Sequence, residues 1–281
     1  MANSRKVNMI KALQIIVFLI VSTVGLQAQV VFEGIVKDID TKENIAYVNI
    51  GILNKNVGTV TDVAGKFSIP LDGKYDDETL KISIIGYKSR DFKVGNFKKE
   101  YTKNSVIYLE KNIAELKEVV INGNLKTAVL GNPIGKKGMS AGFIKNLPGN
   151  EIGIPVKIKK SPTYIEAFHA MVAYNNYKDL KFRINFYDLK DGKPNNTILT
   201  ENIIATSNIK NGELTIDLSG YNIVAESDFF MSIELIENLG EGGLHFLVDE
   251  DGPRIMSRAA SHGKWIQQED VSFGFTVTTR Y

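Results

Sequence analysis

The sequence predicts an all-β protein of two β-sandwich domains that follow a signal peptide. Three observations carry that expectation. From Val30 onward, apolar and polar residues alternate in short runs, the period of half-buried strands. Runs spaced roughly 8 to 12 residues apart, with turn compositions between them, are the pattern of sandwiches. Finally, 43% apolar residues and a net charge of +2 over 281 residues describe a chain that buries packed cores rather than a disordered one.

The leader comes first. Arg5, Lys6 and Lys11 precede an uncharged stretch from Ala12 to Leu26, which contains Ile15-Ile16-Val17-Phe18-Leu19-Ile20-Val21 and closes on Gly25-Leu26-Gln27-Ala28. A cationic start, a short apolar centre and a small residue before the cut predict a signal peptide over residues 1–28. The apolar run falls short of the ~20 residues that span a bilayer, and no later segment reaches that length. Export removes three of the 34 basic side chains and none of the 32 acidic ones, leaving 31 against 32 in the mature chain. Such a near-neutral surface argues against capture of nucleic acid or anionic lipid. With no cysteine in the chain, disulfides, thiolate zinc sites and thiol nucleophiles are excluded.

In the first half, Ala46, Val48, Ile50 and Ile52 line one face of a strand, as do Phe67, Ile69 and Leu71, and then Leu80, Ile82 and Ile84. Asp38-Ile39-Asp40, Thr61-Asp62-Val63-Ala64-Gly65 and Asp72-Gly73 are turns. In the second of these, Asp62 caps the turn's backbone amides and Gly65 supplies a positive φ before Phe67 returns to the core.

Four ordered blocks carry a resemblance: Gly34-Ile35-Val36-Lys37-Asp38, Ile45 to Ile50, Gly58 to Phe67, and Ile82-Ser83-Ile84-Ile85-Gly86-Tyr87-Lys88. Together they resemble the carboxypeptidase-regulatory-like domain, a transthyretin-like Greek-key module found in Gram-negative envelope proteins. The resemblance spans Val31 to about Leu109 and implies a first domain over residues 29–110. It implies no peptidase activity, because in zinc carboxypeptidases the module adds no metal ligand. A zinc site would also need a His and a Glu three residues apart. None of His169, His245 and His262 has one at that offset.

Leu116-Lys117-Glu118-Val119-Val120-Ile121 is similar to the segment that joins this module to the plug of TonB-dependent receptors. The 160 residues after Ile121 are too few for that receptor's barrel. Residues 111–150 are therefore read as a connector followed by a Gly/Asn/Lys-rich linker. Gly131-Asn132-Pro133-Ile134-Gly135-Lys136-Lys137 within it lacks the spacing and the Ser or Thr of a phosphate-binding loop.

Residues 151–281 form a second sandwich, of jelly-roll or Ig-like type. Strands are expected at Tyr164 to Tyr174, Lys181 to Tyr187, Glu213 to Leu218, Phe229 to Glu237, Leu244 to Val248 and Val271 to Tyr281, with a turn at Asp191 to Asn196. The runs Lys181 to Tyr187 and Ile216 to Ile223 are similar to the C-terminal sandwich of envelope proteins that carry the same first module, a resemblance that implies no chemistry.

No catalytic, cofactor-binding or metal-binding residues are assigned. Asp249-Glu250-Asp251-Gly252 is weighed as a calcium loop but lacks the full ligand spacing, leaving a solvated turn. His169, placed on one strand face with Ile165, Ala167, Met171 and Ala173, reads as a packed, hydrogen-bonded histidine. Ser261-His262 has no acidic orienter and does not make a triad. Asn195-Asn196-Thr197 matches the glycosylation pattern, which is frequent by chance. The functional expectation is a non-catalytic, exported cell-envelope module, periplasmic or associated with the outer membrane or cell surface, that binds or assembles with a protein or glycan. The alternatives are an integral outer-membrane β-barrel, for which the alternating C-terminal strand ending in Tyr281 argues, a component associated with such a barrel, or a hydrolase with an unrecognised site.

Overall fold

A computed structural model describes residues 31–101, 105–112, 125–133, 138–143, 146–268 and 271–281. The leader at 1–28 and the Leu116 to Ile121 segment lie outside the described residues, as do positions 134–137 of the glycine-rich loop.

The first sandwich has a three-stranded and a four-stranded sheet. In the former, Val31–Asp38 lies between Lys66–Pro70, antiparallel, and Ser105–Leu109, parallel. The other runs Gly58–Val60, Asn49–Ile52, Thr79–Ser83 and Arg90–Lys93, antiparallel throughout. Val36, Val48, Ile50, Ile52, Ile69, Leu80, Ile82 and Ile107 bury their side chains between the two. The strand expected from Ala46 begins only at Asn49, because Tyr47 adopts φ 60, a left-handed turn conformation outside the strand region. A helix at Val94–Glu100, not anticipated, closes one end of this core. Val94 and Phe97 share its inner face, with Phe97 stacked on Tyr101 at 4.9 Å and edge-on to Phe92 at 5.4 Å.

The second sandwich has sheets of seven and eight strands. Its core joins Phe182, Ile184, Phe186, Met231 and Ile233 from one sheet to Phe168, Phe246, Phe275 and Val277 from the other. Several features depart from expectation. The stretch read as linker contributes two strands to the eight-stranded sheet: Thr127–Gly131 pairs with Phe275–Arg280, and Ser140–Gly142 pairs with Leu244–Asp249. The Asp191 to Asn196 turn contracts to Asp191 and Gly192, at φ 51 and 72, and Lys193–Thr197 returns as a strand. The C-terminal strand is interrupted at Gly274, and its Phe273, Phe275 and Val277 point into the sandwich core.

The Asp62 turn forms as expected. Its carboxylate accepts the Ala64 amide at 2.9 Å and the Lys66 amide at 2.8 Å, and Gly65 sits at φ +71. A Cβ there would lie 2.9 Å from the Val36 carbonyl oxygen. Gly65→Val combines that collision with a left-handed β-branched residue, so it should cost about 1–3 kcal/mol in urea unfolding; an unchanged midpoint would contradict this turn.

Candidate functional site

Among the described residues, the largest concentration of buried charge lies on the seven-stranded sheet, on the face turned away from the core. Leu180–Lys190 sends Phe182, Ile184 and Phe186 inward, which places Lys181, Arg183, Asn185 and Tyr187 on the opposite face. By the same alternation, Phe229–Leu235 puts Phe230, Ser232 and Glu234 there, and Glu151–Val156 puts Glu151 there. Register then aligns one residue from each of four adjacent strands: Arg183 opposite Glu234, Glu234 opposite Glu151, and Glu151 opposite Arg258. The result is a row of charge across the sheet, plus, minus, minus, plus.

Burial makes this row consequential. Glu151 and Glu234 are 0% exposed and Arg183 is 2% exposed. Two carboxylates side by side repel, and each must also be stripped of water. The Asn185 amide donates to both, at 2.9 Å each, and an arginine flanks each outer side. Arg183 donates to Glu234 at 3.0 Å; Arg258 donates to Glu151 through Nε at 2.7 Å and through Nη2 at 2.5 Å. Glu151 also accepts from Ser232 at 2.5 Å and from Tyr187 at 3.0 Å. Loss of hydration raises the pKa of Glu234; the neighbouring arginines pull the other way, and repulsion from Glu151 adds to the rise. Trp265, the only tryptophan, lies 4.7 Å from the Arg258 guanidinium and 5.1 Å from the Phe230 ring.

The first sandwich covers the Arg183 end of the row, and Trp265 lies over Arg258 at the other. Arg183 donates to the Tyr47 carbonyl and, at 3.1 Å, to the Asn49 side chain. Beside this contact, the Ala260–Gly263 loop is pressed against the four-stranded sheet. Ser261 is 0% exposed, enclosed by glycines from three segments: a Cβ on Gly51, Gly58 or Gly149 would overlap its backbone. The Asn54 amide donates to the His262 carbonyl at 2.9 Å, Ser261 Oγ meets Asn49 at 3.3 Å, and the His262 ring meets Ser83 Oγ at 3.2 Å. Burial, followed by the cations Arg258 and Lys81, lowers the His262 pKa to about 3.

The other histidines lie elsewhere. His169 is held between Thr215 Oγ1 at 3.0 Å and Thr278 Oγ1 at 2.9 Å, with Glu213 at 3.1 Å. It does not share a face with Ile165 as expected, because an irregularity between Ile165 and Ala167 turns Ile165 into the core and leaves His169 on the outer face. His245 stacks on Tyr174 at 4.5 Å, and burial lowers its pKa. Ser261 and His262 point to different partners. Asp249 accepts from Asn132 at 3.2 Å. Among the described residues, no three His, Asp or Glu side chains converge as metal ligands.

Sequence reasoning missed the charged row. Alternation marks Arg183 and Glu234 as facing away from the core, and solvent is the ordinary destination of such residues. The available signal was that neighbouring strands each carry an ionisable residue of matching parity, but the register that aligns them is a tertiary property.

Removing one member of a buried ionic row leaves its partner uncompensated. Arg183→Met should therefore lower the unfolding free energy by about 3–5 kcal/mol in urea titration; a loss below about 1 kcal/mol would show that the row is hydrated rather than buried.

No curated protein matches the chain. Residues 32–121 match the family model described as CarboxypepD_reg-like domain, so the first sandwich is a carboxypeptidase-regulatory-like module, and the match ends before the second sandwich begins.

Proposed function

We propose that this protein is an exported, non-catalytic binding or assembly module of the cell envelope, in which the two sandwiches act as one body that presents loops and strand edges to a partner protein. The regulatory-like module is a non-catalytic, binding-type domain. The observation that carries the reading for the rest of the chain is the seam between the sandwiches. It occupies the densest cluster of ionisable groups, Arg183, Glu234, Glu151 and Arg258, in mutual pairing beneath a protein cover. A catalytic carboxylate or imidazole needs access to substrate and a pKa suited to proton transfer. Glu151 has neither an unoccupied face nor exposure, and His262 is held neutral in the seam.

A protein partner is favoured over a glycan by the fate of Trp265. Sugar platforms use exposed aromatic faces, and this ring is committed to Arg258, Phe230 and Tyr187. Apolar side chains do reach solvent at the Asp62 turn, where Val63 is 64% exposed, and on the edge strand Thr127–Gly131, where Val129 is 57% exposed. Loops and edges held by a rigid frame are the usual carriers of recognition. Export rests on residues 1–28, whose pattern is that of a cleaved leader.

The test combines location, activity and contact. Mass spectrometry of envelope-derived protein should give a mature N-terminus near Gln29, and an intact Met1 would contradict export. The purified protein should not turn over peptide, ester or glycoside substrates. Hydrolysis abolished by His169→Ala, His245→Ala, His262→Ala, Asp249→Asn or Asp251→Asn, with the fold retained, would replace this reading with an enzymatic one. A photo-crosslinking residue at Val63 or Val129 should give a discrete protein adduct in intact cells.

A further inference from the structure

We propose that the Ala260–Gly263 loop is an acid-released latch: protonation of the His262 imidazole undocks it from the four-stranded sheet and lets the two sandwiches hinge apart with each core intact. The contacts across the latch are mainly polar. They include the Asn54 amide on the His262 carbonyl, Ser261 Oγ on Asn49 and the His262 ring on Ser83, and, beside the loop, Arg183 on Tyr47 and Asn49 and the Tyr47 hydroxyl on Glu237 at 3.4 Å. The two hydrophobic cores form separate clusters, with Ile85 the side chain of the first sandwich that packs against the larger core. Polar docking between two self-sufficient cores can open without unfolding either.

A proton on His262 has no counter-charge waiting for it. From the four-stranded sheet it faces Lys81, which is paired with Asp91 at 3.3 Å; from the seven-stranded sheet it faces Arg183 and Arg258. The seam's carboxylates already have cationic partners: Glu234 has Arg183, bonded through Oε2 while Oε1 is buried without a hydrogen-bond partner, Glu151 has Arg258, and Glu237 has Lys181 at 3.0 Å. An imidazolium would therefore sit among cations in a site only partly open to water, favoured there by the Asn49 backbone alone among the groups that shift it. Backbone strain works in the same direction. His262 at φ 58 and Tyr47 at φ 60 hold left-handed conformations that undocking would relieve.

The sign follows from linkage. His262 in the docked state binds its proton only near pH 3, against an ordinary value of 6.5, so the undocked state takes up the proton first as pH falls. The His262 contribution to docking is whole above 6.5 and is progressively lost toward 3, changing the docked-to-undocked ratio by up to about ten-fold per pH unit. Glu234, whose pKa is raised by burial, acts oppositely: acid favours its docked form. Neutralising position 262 should therefore abolish or invert the pH response.

Trp265 reports on the seam, since it is the only tryptophan and packs on Arg258. Titrating the full chain from about pH 7 to about pH 4 should shift its emission to the red and increase the radius of gyration by small-angle scattering, while far-ultraviolet circular dichroism stays constant. In His262→Gln the emission shift should disappear over this range. Gly51→Val, which overlaps the Ser261 backbone, should show the open signal already at neutral pH. Should His262→Gln fail to fold, Ser83→Ala, which removes the ring's side-chain partner, should move the midpoint to higher pH. The latch is refuted if the wild type gives no emission shift, if emission and far-ultraviolet signals are lost together, or if His262→Gln or Ser83→Ala keeps the wild-type midpoint.

Discussion

The structure depends on one constraint: a sheet face carrying two arginines and two glutamates is removed from water. Each ion on that face would cost several kcal/mol to bury alone, so the four must compensate one another. Because Arg183, Glu234, Glu151 and Arg258 occupy one register row, a slip of any of these strands by a single residue would send the charge into the core and an apolar residue out. The row thus specifies the register of the sheet. It also orients the first sandwich, since Arg183 reaches past Glu234 to Tyr47 and Asn49. Orientation, rather than net stability, is the contribution we assign to it, because buried ion pairs seldom outperform well-packed apolar residues.

Close approach is the complementary requirement. A docking arginine and a buried serine reach their partners only if the opposing backbone carries no side chains, and Gly51, Gly58 and Gly149 meet that need around Ser261. Glycine lowers the intrinsic preference of a strand, and at Gly51 and Gly58 the loss is offset by backbone packing between sandwiches. The left-handed conformations of Tyr47 and His262 belong to the same solution, since they bring the Arg183 and Asn54 contacts into line.

Much of the fold was legible in the sequence, for reasons that are local. Asp62 and Gly65 announce their turn because the amides they satisfy lie within four residues. Phe182, Ile184 and Phe186 announce a strand because its core face is apolar throughout. Features that depend on distant partners were hidden. Thr127–Gly131 is too short to read as a strand until Phe275–Arg280 pairs with it, and the Val94–Glu100 helix shows only Val94 and Phe97 as an inner face. The irregularity that places His169 and Ile165 on opposite faces has no local composition marker. The candidate site was hidden most completely, since Arg183 and Glu234 look like solvated residues until the first sandwich packs over them.

At neutral pH the seam should hold the two sandwiches as one body. The chain has no cysteine, so a spin-label pair can be introduced cleanly by single cysteines at two exposed positions, Lys66 in the first sandwich and Thr206 in the second. Pulsed electron–electron resonance at neutral pH should return one narrow distance distribution, broadened by Arg183→Met. A broad distribution in the otherwise unaltered protein would contradict the account, because it would mean that the charged row and its glycine-lined dock do not join the sandwiches.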